Sequence, residues 1–270
     1  MCNFVFVRLK FYKYQGAGND FIIFDNRSLI LSGDEHEWYA ALCNRHFGIG
    51  ADGVMLFQNH DKADFEMVYF NADGQQSTMC GNGGRCIVNF AGRIGMKKNH
   101  YEFLAVDGLH EAHVEGDIVY LRMNDVNDIV REDDHYILDT GSPHYITFSS
   151  NLKQLDVKKA GSSIRYNDRF RQNGININFI ELNGEENFIR TYERGVEDET
   201  LSCGTGVTAS ALIIALQKQL PDGQHEIKLQ TMGGELKVRF EKINDHTFKN
   251  IWLIGPGAFV FEGEVENIEY

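Results

Sequence analysis

One motif is written into this chain twice. Cys80-Gly81-Asn82-Gly83 returns 123 residues later as Cys203-Gly204-Thr205-Gly206. Eleven residues ahead of each cysteine stands a tyrosine, Tyr69 and Tyr192, and each leads a polar loop, Asn71-Ala72-Asp73-Gly74 and Glu193-Arg194-Gly195. Gly18 to Phe24 resembles Gly141 to Phe148, with Tyr145, Ile146 and Phe148 lying 124 residues after Phe21, Ile22 and Phe24. Downstream, Gly108 with Val114 is echoed by Gly234 with Val238. A period this long excludes a solenoid, whose units run to about 50 residues. It reads as a duplicated domain. The expected halves are residues 1–124, completed by a C-terminal strand at 257–270, and residues 125–256.

Local patterns repeat in the same style. Phe11–Gln15, Phe21–Asp25, Val54–Gln58 and Phe65–Phe70 are short and rich in aromatic and β-branched residues, as strands are. Asn176–Glu181, Phe188–Glu193, Ile227–Met232 and Glu235–Glu241 match them in the second half. Asp34–His46 carries Trp38, Leu42 and Cys43 at helical spacing, with Ser32 or Asp34 as the expected cap. Each Cys-Gly-x-Gly opens a further helix. After Cys203 the run Val207 to Leu216 is apolar almost all round, so that helix is expected to be buried on every side. The predicted class is α+β: two similar domains, each a curved, mainly antiparallel sheet around a central helix, with the active site in the cleft between them.

Composition narrows the function. The formal net charge is −13 and no basic cluster tracks phosphates, which argues against nucleic acid. No apolar run reaches the roughly 18–20 residues of a membrane span. Met1 to Lys10 lacks the basic start and small-residue cleavage site of a signal peptide. Five cysteines, an odd count, argue against a disulfide framework and for a reducing compartment, with the cytoplasm as default. No Cys-x-x-Cys pair or tight His/Cys cluster suggests a metal. Cys2, Cys43 and Cys86 stand outside the repeated motif and read as structural thiols.

A thiol is a weak base at neutral pH, its ordinary pKa being about 8.5. A helix N-terminus favours the thiolate through its dipole and exposed N–H groups. Glycines just after the cysteine let those N–H groups approach an anion closely. One such turn joins a reactive sulfur to a carboxylate cradle. Two of them supply what stereoinversion needs, a base on one face of a carbon and an acid on the other. Backbone donors can meanwhile stabilise the carbanion as its charge spreads into the carboxylate.

Taken in order, the set of Gly16-Ala17-Gly18-Asn19-Asp20-Phe21, Asn71-Ala72-Asp73-Gly74, Cys80-Gly81-Asn82-Gly83-Gly84-Arg85, Gly141-Ser142-Pro143-His144, Tyr192-Glu193-Arg194-Gly195 and Cys203-Gly204-Thr205-Gly206 resembles the diaminopimelate epimerases. The resemblance runs from about Phe11 to Gly263. It implies pyridoxal-independent interconversion of LL- and meso-diaminopimelate, for lysine and peptidoglycan precursors, by a cytoplasmic homodimer without cofactor or metal. It assigns Cys80 and Cys203 as the acid–base pair. Backbone N–H groups of Gly81, Asn82, Gly204 and Thr205 would hold the reacting carboxylate. Asn19, Asn71, Asn176 and Arg194 would bind the substrate, Arg194 gripping the distal carboxylate. Glu193 would take the reacting ammonium and, with His144, adjust the thiol pKa values.

Two positions depart from the family pattern. Ser142 stands where Asn is frequent, and Gly53 where Gln is frequent, which bears on the distal end of the substrate. On its own His144, just after Pro143, would read as a solvated loop histidine. Two other functions share the features: a racemase of proline, hydroxyproline or histidine on the same fold, and a thiol-redox or binding protein. Arg194 separates the first, since a monocarboxylate offers it nothing to grip. Thiol–disulfide activity surviving Cys80→Ser would mark the second.

Overall fold

The computed structural model describes residues 6–184 and 186–268. Cys2 lies outside them. The chain divides into two compact units, residues 1–119 with 256–270, and residues 120–255.

The first unit holds β1 (Phe6–Gly16), β2 (Asn19–Asp25), α1 (His36–Cys43), β3 (Gly53–Gln58), β4 (Phe65–Asn71), β5 (Gln76–Ser77), α2 (Gly81–Arg93), β6 (His100–Ala105) and β7 (Gly108–Glu115). β1 and β2 pair antiparallel, α1 carries the chain over to a parallel β2–β3 pairing, and β3–β4 and β4–β5 are antiparallel. After α2 the chain returns parallel to β4 as β6, which pairs antiparallel with β7.

The second unit repeats this. The division falls in β8 (Ile118–Arg122), and then come β9 (Val130–Arg131), β10 (His135–Asp139), β11 (Pro143–Phe148), α3 (Val157–Arg165), β12 (Asn176–Asn183), β13 (Glu186–Glu193), β14 (Asp198–Thr200), α4 (Gly204–Gln217), β15 (Gly223–Thr231), β16 (Gly234–Lys242) and β17 (Phe248–Pro256). β10–β11, β12–β13, β13–β14 and β15–β16 are antiparallel, while β11–β12 and β13–β15 are parallel. Each unit is thus mainly antiparallel, with a parallel step wherever a helix bridges two strands. Last comes β18 (Ala258–Ile268), which pairs with β1 along its length and so belongs to the first unit.

The two long helices are buried. In α4 the residues from Val207 to Ala215 are all inaccessible, Thr208 and Ser210 among them, and α2 buries Cys86, Ile87, Val88, Phe90 and Ala91. The other face of each sheet carries a shorter helix. Tyr39 of α1 stacks on Phe70 at 4.4 Å, within a cluster with Ile22, Phe24, Val54 and Leu56. Val157 of α3 packs with Tyr145, Ile177 and Tyr192. α3 sets Val157, Ala160, Gly161 and Ile164 along one face at helical spacing, a pattern the sequence reading passed over; at Gly161 a Cβ would stand 2.3 Å from Tyr192 Cβ. The cap expected for α1 is also corrected. The Glu35 side chain reaches back to the N–H groups of Ser32 and Gly33 and accepts the Tyr39 hydroxyl at 2.8 Å, so the residue stands at the N-cap without a side-chain bond to the helix N–H groups.

Strand pairing corrects the internal alignment by one residue. Phe21 opposes Gly53 and Met55 opposes Tyr69; His144 opposes Asn176 and Asn178 opposes Thr191. Met55 borders Gly83 of α2, and Asn178 borders Gly206 of α4. Phe21 therefore corresponds to His144, not Tyr145, and Tyr69 to Thr191, not Tyr192. The counterpart of Tyr192 is Phe70. Because neighbours on a strand point to opposite faces, a one-residue slip exchanges the two faces of the sheet. Under the corrected pairing, the face toward the long helix carries Phe21, Gly53, Met55 and Tyr69 in the first unit, and His144, Asn176, Asn178 and Thr191 in the second.

Candidate active site

In the first unit Cys80 is the N-cap of α2, in extended backbone (φ −103°, ψ 147°), and its Sγ accepts the Gly83 N–H at 3.2 Å. A Cβ at Gly83 would lie 3.1 Å from that sulfur and 3.4 Å from Met55 Sδ and Met67 Cε, so the glycine makes room for thiol and thioethers together. Asn19 Oδ1 lies 3.8 Å from Cys80 Sγ. Its amide is oriented by Asp52, which accepts from Nδ2 at 2.6 Å. Behind them Arg45 bridges Asp20 and Asp52 at 2.7 Å each, and Lys13 reaches Asp20 at 2.7 Å. Burial by itself would raise the Asp20 pKa, but hydrogen bonds from Arg45 and Lys13 outweigh it and hold the carboxyl at about 2.

The first-turn N–H groups at Gly81 and Asn82 point out of the helix start, as helix geometry dictates. The Asn82 side chain turns the other way. Its Oδ1 accepts from Arg85 at 2.8 Å, and the fully buried guanidinium also donates to Gly81 O and Pro256 O. Burial pushes the Arg85 pKa down to about 10. Asn71 ends β4 at the surface, opposite Gly53. A Cβ at Gly53 would meet Phe70 O at 2.4 Å and the Tyr69 ring at 2.5 Å, so Tyr69 occupies the space that a side chain at 53 needs.

In the second unit Cys203 is the N-cap of α4, extended (φ −107°, ψ 111°) and buried, with Sγ 3.5 Å from the Thr205 hydroxyl. Thr140 Oγ1 donates to Thr205 O at 2.9 Å, and Thr208 Oγ1 to Gly204 O at 3.0 Å. His144 is no loop residue. It is fully buried on β11, with Nδ1 3.0 Å from Asn178 Nδ2. Burial, helped by the Arg194 charge, lowers its pKa to about 3.

Asn176 is engaged on both ends of its amide. Nδ2 donates to Ser142 Oγ at 2.8 Å and Pro143 O at 3.2 Å, and Oδ1 accepts the Arg194 N–H at 2.8 Å. The amide thereby ties the loop carrying Arg194 to the turn carrying Ser142. The Arg194 stem lies over Gly174, where a Cβ would come within 2.5 Å of Cδ, and its guanidinium donates to Asn173 O at 3.1 Å. Glu193, half-buried, ends β13 just before it.

The structure thus joins Asn19, Cys80, Gly81 and Asn82 in one unit, and His144, Asn176, Glu193, Arg194, Cys203, Gly204 and Thr205 in the other. Sequence reasoning passed over Asp52, Arg85, Asn178 and Thr191. The signal for Asn178 was present: in a strand, Asn176-Ile177-Asn178 puts both amides on one face. The structural reading of Cys43 and Cys86 holds, since both are buried and burial pushes their thiols up, Cys43 to about 12. Among the described residues no cluster of His, Cys, Asp or Glu could hold a metal, and no helix is long and apolar enough to cross a membrane.

Solved structures share this architecture at low sequence identity. A PhzF-family phenazine biosynthesis protein from Bacillus anthracis aligns over 96% of this chain and 99% of its own, with TM-score 0.74 and 15% identity. A hydroxyproline epimerase from Agrobacterium vitis, solved with trans-4-hydroxy-L-proline, aligns over 96% and 91% with TM-score 0.67 and 13% identity. The fold is the one these proteins share, a duplicated α+β domain. Sequence comparison is more specific. The diaminopimelate epimerase family profile matches residues 11–126 and 136–256. A diaminopimelate epimerase of Flavobacterium psychrophilum is 50% identical over 94% of this chain and 99% of its own length. One of Chlorobaculum tepidum is 43% identical over 93% and 98%. The chain belongs to the diaminopimelate epimerase family.

Proposed function

We propose that this chain interconverts LL- and meso-diaminopimelate by proton transfer between Cys80 and Cys203. The observation that carries the reading is the pair of N-cap cysteines, one on the buried helix of each repeated unit, in a chain 50% identical to a diaminopimelate epimerase. One sulfur, as thiolate, removes the α-proton. The electron pair spreads into the α-carboxylate, which accepts hydrogen bonds from the first-turn N–H groups at Gly81, Asn82, Gly204 and Thr205. The other sulfur, as thiol, returns a proton to the opposite face. The two sulfurs have then exchanged roles, and the reverse reaction restores them. This requires the faces bearing Cys80 and Cys203 to flank one tetrahedral carbon in a shared cleft.

Glu193 is suited to the reacting ammonium and Arg194 to the distal carboxylate, with Asn19, Asn71 and Asn176 completing the substrate contacts. Arg194 favours a dicarboxylate over proline, hydroxyproline or histidine. No pyridoxal phosphate enters this scheme, because the thiols and N–H groups supply the acid, the base and the charge stabilisation. Both sulfurs must remain reduced to carry protons, which suits the cytoplasm and lysine or peptidoglycan precursor synthesis. The family resemblance supports a homodimer.

Reduced protein incubated with LL-diaminopimelate in D₂O, with no added cofactor, is expected to place deuterium on the α-carbon and form the meso isomer. L-proline, trans-4-hydroxy-L-proline and L-histidine should exchange little. Absence of exchange with diaminopimelate, or a strong preference for a monocarboxylate, would overturn the proposal.

A further inference from the structure

Asn178 is fully buried on β12, between His144 on β11 and Thr191 on β13. Its Nδ2 lies 3.0 Å from His144 Nδ1 and 3.2 Å from Tyr145 O, and its Oδ1 accepts from Thr191 Oγ1 at 2.9 Å. The orientation of this amide follows from its partners. A backbone carbonyl only accepts, so the amide nitrogen must face Tyr145 O. One of its two hydrogens then goes to Tyr145 O and the other to His144 Nδ1. That ring nitrogen must be the acceptor, and the ring proton sits on Nε2. Nε2 is buried and has no hydrogen-bond partner among the described residues. A buried N–H so placed is a costly arrangement that an arriving partner would relieve.

We infer that Asn178 and Thr191 are positioning residues that hold His144 as the neutral Nε2–H tautomer, making the histidine a fixed hydrogen-bond donor to the reacting centre rather than a proton carrier. This deepens the two-thiol reading of the same site and rests on it for the histidine's purpose, though not for the tautomer itself. Protonating Nδ1 would set an N–H against the amide N–H. Burial and the Arg194 charge act in the same direction. His144 therefore strengthens hydrogen bonding to a sulfur or substrate atom without entering the proton count. The first unit has nothing comparable, since Phe21, Met55 and Tyr69 occupy the corresponding positions.

The test is ¹⁵N NMR of histidine-labelled, reduced, full-length enzyme, with His144 assigned by its loss in His144→Gln. The wild type is expected to show a protonated-type shift at Nε2 and an unprotonated-type shift at Nδ1, both constant between about pH 5 and 8. Asn178→Asp replaces the donor by an acceptor. It should move the proton to Nδ1, bring a His144 titration into that pH range and lower kcat by about 10- to 100-fold, the loss typical when a group orienting a metal-bound histidine is changed. Thr191→Val, a smaller change, should mix the tautomers, and Thr191→Ser should restore the wild-type shifts. An Nδ1-protonated or titrating His144 in the wild type would overturn the inference, as would unchanged shifts in both Asn178→Asp and Thr191→Val. The NMR readout needs no turnover. A wild-type enzyme with the expected tautomer but no α-deuteration of diaminopimelate would leave this inference standing and defeat the proposed function.

Discussion

Asn19 donates its Nδ2 to the Asp52 carboxylate at 2.6 Å, which turns its Oδ1 toward the Cys80 sulfur. A carboxylate accepts only, so the amide is held one way round. Asp52 is in turn held by Arg45, which also grips Asp20. Asp52→Ala is expected to release the amide, lower kcat/KM by about tenfold, corresponding to about 1.4 kcal/mol, and raise the alkylation rate of Cys80 at neutral pH. Asp52→Asn, which retains an acceptor, should sit between that variant and the wild type. Steady-state kinetics and iodoacetamide labelling read both effects.

Removing either thiol should abolish inversion while leaving the fold intact. A serine hydroxyl has nearly the size of the thiol but is a far weaker acid. Cys80→Ser and Cys203→Ser are each expected to lower kcat by about 100- to 10,000-fold, the range for loss of a general acid or base. Because Cys43 and Cys86 are buried, Cys86→Ser should lose stability rather than take part in the chemistry, its kcat staying within about twofold of the wild type. Following LL-to-meso conversion by chiral chromatography separates the three.

His144 makes stability sensitive to acid. Its pKa is about 3 in the folded protein against an ordinary 6.5. Below about pH 6.5 the unfolded chain binds a proton that the native state refuses, so stability falls with pH until about pH 3. From pH 7 to 5 this contribution amounts to about 2 kcal/mol. Urea unfolding at the two pH values should show that loss in the wild type and a smaller one in His144→Gln.

Gly206 is expected to accept no side chain. A Cβ there would lie 2.3 Å from Asn178 Oδ1, a fully buried amide braced from three sides. Gly206→Ala should cost about 1–3 kcal/mol in thermal or denaturant unfolding. It should also disturb the His144 shifts, since the amide must yield before the helix start can.

Much of the fold was legible because duplication repeats each local signal. Phe65–Phe70 and Phe188–Glu193 are short runs rich in aromatic and β-branched residues, and each lies inside the strand observed. The cysteines were legible because the motif places both at helix starts. The pairing of Tyr69 with Tyr192 misled, since identical residues at equal distance from the cysteines lie on opposite sheet faces: Tyr69 borders Gly53, whereas Tyr192 packs on α3. Pattern matching follows residue identity, while burial follows the two-residue period, and only pairing distinguishes them. Arg85 and Asp52 were missed for different reasons. Asp52 meets Asn19 across 33 residues, which leaves no mark in local spacing, whereas Arg85 stands three residues after Asn82 at a helical spacing that was passed over.

The antiparallel seam between β1 and β18 has a consequence for biosynthesis. Residues 120–255 form a unit from one uninterrupted stretch, whereas the first unit draws on residues from both sides of it. Residues 6–15 must wait for 258–268 before their exposed strand edge is covered. The half bearing Cys203 is therefore assembled from one continuous stretch, and the half bearing Cys80 is finished only once its closing strand has been made.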